Sequence, residues 1–184
     1  MEPRVVIGFD PGPTRTAWAL VSVTDRGAAY LDSGTFPSRY GEASNLLTSL
    51  SAWGWVAPLR AVIETPRGVV FNMFRGDALL QSATVAGMIS AECVRVLGGS
   101  CVSMVSADDA RKAVGVKRGR RKAGSTDKAI KAILASSVGS MPKRSNPHTR
   151  DAIVVAVAPT APEGEGCDDS PRHAQRRRTK RRER

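Results

Sequence analysis

Cysteine is scarce in this chain. Only Cys93, Cys101 and Cys167 are present, too few and too scattered for a disulfide framework or a zinc knuckle. Cys93 and Cys101 lie in apolar surroundings and read as small core residues, which fits a reducing compartment. Long apolar runs are missing too: nothing approaches the ~20 residues that span a bilayer, so no membrane partner is expected. The chain opens Met1-Glu2-Pro3-Arg4 and passes directly into a strand-like run, so no signal peptide is expected. No internal repeat is visible. Acidic residues are outnumbered, 17 against 28 Lys and Arg, for a net charge of +11. That excess fixes nothing about the fold, and a basic protein that merely stays soluble would share it. It does favour polyanionic partners through counterion release.

Within these limits, 184 residues suffice for a domain with a hydrophobic core. The stretch Arg4 to Asp10 (RVVIGFD) has the length and β-branched content of a buried strand, ending in the turn Asp10-Pro11-Gly12-Pro13. Thr16 to Val23 and Ala28 to Phe36 follow as strands, and Asp25-Arg26-Gly27 between them reads as a hairpin turn. Helical spacing marks Glu42 to Trp53, strand character returns over Leu59 to Ile63, and Asp77 to Leu97 forms a long Ala-rich helix. Ser100 to Val105 is a further strand, with helices around Asp108 to Val114 and Ser125 to Val138. Asn146-Pro147 opens a last helix, Asn as N-cap and Pro at the first helical position. The order β-β-β-α-β-α-β-α-α-α implies an α/β fold: a mixed five-stranded sheet, antiparallel over its first three strands and parallel over the last two, flanked by helices. The domain is expected to span 1–162. Residues 163–184 turn polar and then Arg-rich, and are expected to be a disordered tail.

A carboxylate closing an apolar strand asks for a reason. Asp10 closes RVVIGFD, Glu64 closes AVIE, and Asp151 lies one turn inside the last helix. Taken singly, each has an ordinary explanation. Asp10 is a turn residue before Pro-Gly, Glu64 could pair with Arg60 or Arg67, and Asp151 with Arg150 or Lys143. Taken together, neighbouring strand ends can set Asp10 beside Glu64. Like charges held that close repel unless a cation lies between them. An all-oxygen carboxylate site suits Mg²⁺ or Mn²⁺. His148 and Asp151, three apart on a helix, share a face. His148 there could bind metal or move a proton, and as a ligand it would shift preference toward Mn²⁺.

The segments VIGFDPGPTRTAWALV, AVIETPRG and NPHTRDAIVVAVA, in this order and spacing, resemble the RuvC family of Holliday-junction resolvases within the RNase H-like superfamily. The resemblance spans roughly Val5 to Ala158. Residue by residue it places Asp10, Glu64 and Asp151 at the family's metal-binding carboxylates. His148 stands where many members have Asp and some have His. It implies an RNase H-like sheet, two Mg²⁺ or Mn²⁺ ions bridged by Asp10, and hydrolysis of DNA to 5′-phosphate and 3′-hydroxyl ends. It implies a homodimer acting on a four-way junction, in a bacterial nucleoid or in host cytoplasm if phage-encoded, with a branch-migration helicase as a possible partner. The helix Asp77 to Leu97 is the expected dimer element, with Leu80, Thr84, Gly87 and Ala91 along one face.

For DNA contact, Arg67, Phe71, Phe74 and Arg75 follow Glu64 directly. One aromatic is expected to stack on junction bases and the other to fill the core or dimer seam. Arg111 and Lys112 are candidate phosphate contacts. So are Lys117, Arg118, Arg120, Arg121 and Lys122 in a glycine-broken basic loop, and Lys128 in a helix start similar to the family's GSAEK type. Three rivals remain: a sugar-kinase or actin-like ATPase, another RNase H-like or transposase-like nuclease, and a non-catalytic DNA-binding protein. The first needs two such domains, for which there is no room. The last leaves unexplained why three acids are retained near DNA.

Overall fold

Side chains alternate across a strand, and on the first strand that alternation decides everything above and below the sheet. Strand β1 (Arg4–Pro11) contributes Val5, Ile7 and Phe9 to one core cluster and Val6 to the other, so Gly8 and Asp10 share the second face. The computed structural model describes residues 4–24, 27–52, 59–66, 76–116, 130–132, 134, 135, 138 and 146–158. In it β1 is the middle strand. Strands β2 (Arg15–Thr24) and β3 (Gly27–Pro37) run antiparallel on one side. Strands β4 (Leu59–Thr65) and β5 (Val102–Ser106) run parallel on the other, giving the order β3-β2-β1-β4-β5. This is the mixed sheet expected from the sequence.

Helices α1 (Glu42–Ala52) and α2 (Gly76–Leu97) close the first face, burying Leu47, Leu50, Val85, Ile89 and Cys93 against Ile7, Phe9 and Leu20. Each such fully buried side chain contributes roughly 1.5–3 kcal/mol. Helices α3 (Ala107–Ala113) and α4 (Pro147–Val157) cover the second face, together with Ile130, Leu134 and Val138. On α2 the face expected to pair with a second copy points outward: Leu80 is 58% exposed, and Thr84, Gly87 and Ala91 are exposed. The sheet is met instead by Val85, Ala86, Ile89 and Cys93.

Some bounds differ from expectation. Ser100 and Cys101 belong to a short 3-10 turn, Gly99–Cys101, and the strand starts only at Val102. Cys93 is a core residue, but Cys101 is only half-buried. Trp53, Asp25, Arg26, most of the helix expected over Ser125 to Val138, and the tail 163–184 lie outside the described residues. Among those described, no helix is long and apolar enough to cross a membrane.

Gly8 sets the position of α4. A Cβ there would stand 2.6 Å from the Ala156 nitrogen and closer still to the Ala152 carbonyl oxygen, both backbone atoms that cannot give way cheaply. The last helix therefore lies directly on the middle of β1, an approach only glycine permits. One turn before Ala152 is His148, and two residues beyond Gly8 is Asp10. The close packing at Gly8 is what brings these two ends together.

Candidate functional site

Strands β1 and β4 are parallel neighbours with Phe9 opposite Ile63, so the next residues, Asp10 and Glu64, close the two strands side by side. Val6 and Val62 belong to the α4-side cluster, and strand parity puts Asp10 and Glu64 on that same side. From above, α4 begins at Asn146, whose side chain accepts a hydrogen bond from the Thr149 N–H at 2.7 Å. Pro147 follows in the first turn. The cap and the proline set the start of the helix as the sequence suggested. His148 and Asp151 then project one turn apart. His148 Nδ1 lies 2.9 Å from Asp10 Oδ2, the imidazole 74% exposed and the carboxylate only 13%.

Helix α3, which starts at the end of β5, supplies a cation. At that junction lies Ser106, the last residue of β5, which caps α3: the hydroxyl accepts from the Asp109 N–H at 3.1 Å and donates to the Asp109 carboxylate at 2.6 Å. This serine–aspartate cap starts α3 immediately at the strand end, beside Thr65 of β4. Arg111 therefore emerges over the carboxylates, its Nη2 3.3 Å from Asp151 Oδ1. Among the described residues Asp151 is thus bonded to Arg111, 40 residues away in sequence, while Lys143, the other partner considered beside Arg150, lies outside them. Arg111, expected to face phosphate, instead faces an acid of its own chain.

Electrostatics bind these groups into one site. Burial, followed by the charges of Asp10 and Asp151, pushes the Glu64 carboxyl up to about 7; Arg111 and His148 offset this in part. Burial also raises the Asp10 carboxyl, against the lowering effect of its His148 hydrogen bond. Three carboxylates crowded at the edge of a low-dielectric sheet end are short of positive charge. Their oxygens, with one imidazole, form a donor set that suits a hard divalent cation. As they stand the side chains are engaged elsewhere: His148 holds Asp10 and Arg111 holds Asp151. Among the described residues no three His, Cys, Asp or Glu side chains converge on a single ion position. The residues fit the ion in chemistry, and they would have to exchange partners to take it.

The turn after Asp10 has support that sequence reasoning missed. Ser38, just past β3, donates its hydroxyl to the Gly12 carbonyl at 2.7 Å, and its N–H reaches the Thr14 carbonyl at 3.0 Å. The same hydroxyl meets that of fully buried Thr16 at 2.9 Å. The Pro-Gly turn is thereby tied to the neighbouring hairpin, which fixes the direction in which β1 ends. Only the hydroxyl content of Thr16 and Ser38 hinted at this in the sequence. Of the other candidate residues, Lys112 is exposed on α3. Arg67, Phe71, Phe74, Arg75, Lys117, Arg118, Arg120, Arg121, Lys122 and Lys128 lie outside the described residues.

A mixed five-stranded sheet with acids at the ends of two adjacent parallel strands, β1 and β4, frames the site. Among solved structures, RuvC of Thermus thermophilus in complex with a Holliday junction substrate is similar with a TM-score of 0.63. The match is 15% identical and covers 86% of this chain and 93% of that one. A second Thermus thermophilus RuvC structure has a TM-score of 0.47 at 16% identity, covering 84% and 92% of the two chains. A fowlpox virus resolvase bound to Holliday junction DNA has 0.42 at 7% identity, covering 84% and 95%. No family model and no curated protein matches the chain. The fold is RuvC-like. At 15% identity the likeness establishes the fold and not the activity.

Proposed function

We propose that this chain is a divalent-metal-dependent endodeoxyribonuclease that resolves four-way DNA junctions by paired symmetric nicks, leaving 5′-phosphate and 3′-hydroxyl ends. The observation that carries the proposal is the convergence of Asp10, Glu64 and Asp151, from three distant parts of the chain, on one end of a RuvC-like sheet. Burial there, added to by the charges of Asp10 and Asp151, holds the Glu64 carboxyl at about 7. A purely structural site would not gather acids without pairing each one.

Asp10, Glu64 and Asp151, with His148, are the residues that would hold Mg²⁺ or Mn²⁺. When bound, such ions activate water and stabilise the departing 3′ oxygen of a phosphodiester. The protein's own part is to aim these oxygens from rigid elements: the Gly8 packing fixes α4, and the Ser38 bonds fix the turn after Asp10. His148, bonded to Asp10 through Nδ1 and largely exposed, has Nε2 available to take or give a proton at the mouth of the site. The junction-binding partner surface is proposed to include Lys112 and the basic segment from Lys117 to Lys122. The outward face of α2 around Leu80 and Gly87 is proposed to pair with a second copy, so that two sites meet two strands.

The test is incubation with Mg²⁺ or Mn²⁺ and either a mobile four-way junction or a linear duplex of matched sequence. Paired symmetric nicks confined to the junction are expected. Equal cutting of the linear duplex would leave a less selective nuclease of the same fold. Metal-independent binding without cutting would leave a DNA-binding protein.

A further inference from the structure

Arg111 is the only Arg or Lys side chain among the described residues that is bonded to one of the three site carboxylates. Its charge also acts on the other two, lowering Glu64 and Asp10 against the rise that burial imposes. Yet the bond is made for exchange. It is a single contact of 3.3 Å between side chains that are 32% and 24% exposed, the kind of ion pair that contributes little net stability. The guanidinium is also incompletely used, since its Nε is buried with no hydrogen-bond partner among the described residues. Its backbone, by contrast, is pinned. Ser106 caps the helix ahead of it, and its carbonyl accepts the Val116 N–H at 2.9 Å behind it. A fixed backbone with a loosely held, underused charge can change partner without moving a helix.

We propose that Arg111 is the site's resident counter-cation: it neutralises Asp151 in the metal-free protein, competes with the divalent ion for that carboxylate, and is released when the ion binds. The inference rests on the reading that these carboxylates hold metal. Two cations cannot share one carboxylate face without repulsion, and the field of a retained guanidinium would oppose the incoming charge. Release is therefore part of loading the site. It also sets a threshold: the metal-free acids are kept from repelling one another, at the expense of metal affinity. The freed guanidinium, with its unmatched Nε–H, then has donors for a phosphate.

The experiment measures Mn²⁺ binding to the full-length protein without DNA, by the loss of the free-ion paramagnetic resonance signal, with thermal melting in parallel. Four proteins are compared: wild type, Arg111→Gln, Arg111→Lys and Asp10→Asn. Arg111→Gln is expected to bind Mn²⁺ about three- to fivefold more tightly than wild type. It should melt lower without metal and gain more from added Mn²⁺. Arg111→Lys, which keeps the charge but loses the planar fork, should gain about twofold. Unchanged or weaker Mn²⁺ binding in Arg111→Gln overturns the proposal. If that variant does not fold, unchanged binding in Arg111→Lys does the same. Asp10→Asn separates the two levels. Binding that Asp10→Asn abolishes but both Arg111 variants leave unchanged refutes the counter-cation alone. Wild-type binding that is absent, or unaffected by Asp10→Asn, refutes the metal reading itself.

Discussion

Glu64 and Glu92 both leave bulk water on the way into this fold, and their surroundings could hardly differ more. Glu92, on α2, is 1% exposed, and its two carboxylate oxygens accept the N–H groups of Gly41 and Ser44 at 2.8 and 2.9 Å. These are donors at the start of α1, where the helix has unpaired N–H groups and a favourable field for an anion. Arg95, one turn along α2, completes the joint by donating to the Ser44 hydroxyl at 2.7 Å. Glu64, at the end of β4, meets other acids where Glu92 meets donors, and burial, followed by the charges of Asp10 and Asp151, drives its carboxyl up to about 7. One acid is satisfied by its own chain. The other is left wanting a cation that the chain supplies only in part, through Arg111. A buried charge that the fold has paired is architecture, and one that the fold has left short is a site.

The contrast breaks most visibly at Asp10. Asp10→Asn keeps the size and the hydrogen-bonding shape of the side chain but removes a charge from the acid cluster. It is expected to lower junction cutting by at least about a thousandfold, several kcal/mol of transition-state stabilisation, while junction binding persists. Gel-shift and single-turnover cleavage on the same junction check both halves. Loss of binding together with cutting would make Asp10 a structural residue like Glu92.

At Glu92 the expectation reverses. Glu92→Gln retains one acceptor for two N–H donors and should destabilise the protein by about 1–3 kcal/mol in urea unfolding. Cutting by the folded fraction should stay within about twofold of wild type. A larger fall in cutting at full folding would mean that the α1–α2 joint communicates with the acids across the sheet.

The Glu64 side of this contrast is legible in the sequence, and what is not legible follows a physical pattern. Asp10, Glu64 and the Asn146-Pro147 start of α4 were legible because strand ends, turns and caps are written in neighbouring residues. The sheet followed from the same local signals plus the order of elements. The Asp151–Arg111 pair was not legible, since its members come from different helices and nothing within 40 residues links them. Gly8 did carry a signal, an isolated glycine inside an apolar strand, which often marks the close approach of another backbone. Glu92 carried one too: it stands on the same buried stripe of α2 as Val85, Ile89 and Cys93, where an acid must find donors. Both signals announce that a partner exists without naming it, because the partner is chosen by tertiary packing.

The smallest effect expected is also the one that reads the comparison without any DNA. The Glu64 carboxyl sits at about 7 in the folded chain against its ordinary 4.5, so the folded state holds its proton over a range where the unfolded state has released it. Stability then falls as pH rises from about 4.5 through about 7 and is level above that, with Asp10 adding in the same direction. Because the site is partly open to solvent, the loss is on the order of 1–2 kcal/mol. Urea unfolding with chelator present, between pH 5 and pH 8, should show this slope in wild type and a flatter one in Glu64→Gln. Glu64→Gln should therefore match wild type near pH 5 and exceed it near pH 8, where wild type carries the unrelieved charge. Parallel slopes in the two proteins would mean that Glu64 ionises without resistance. The shortage of positive charge would then have to lie at Asp10 and Asp151 alone.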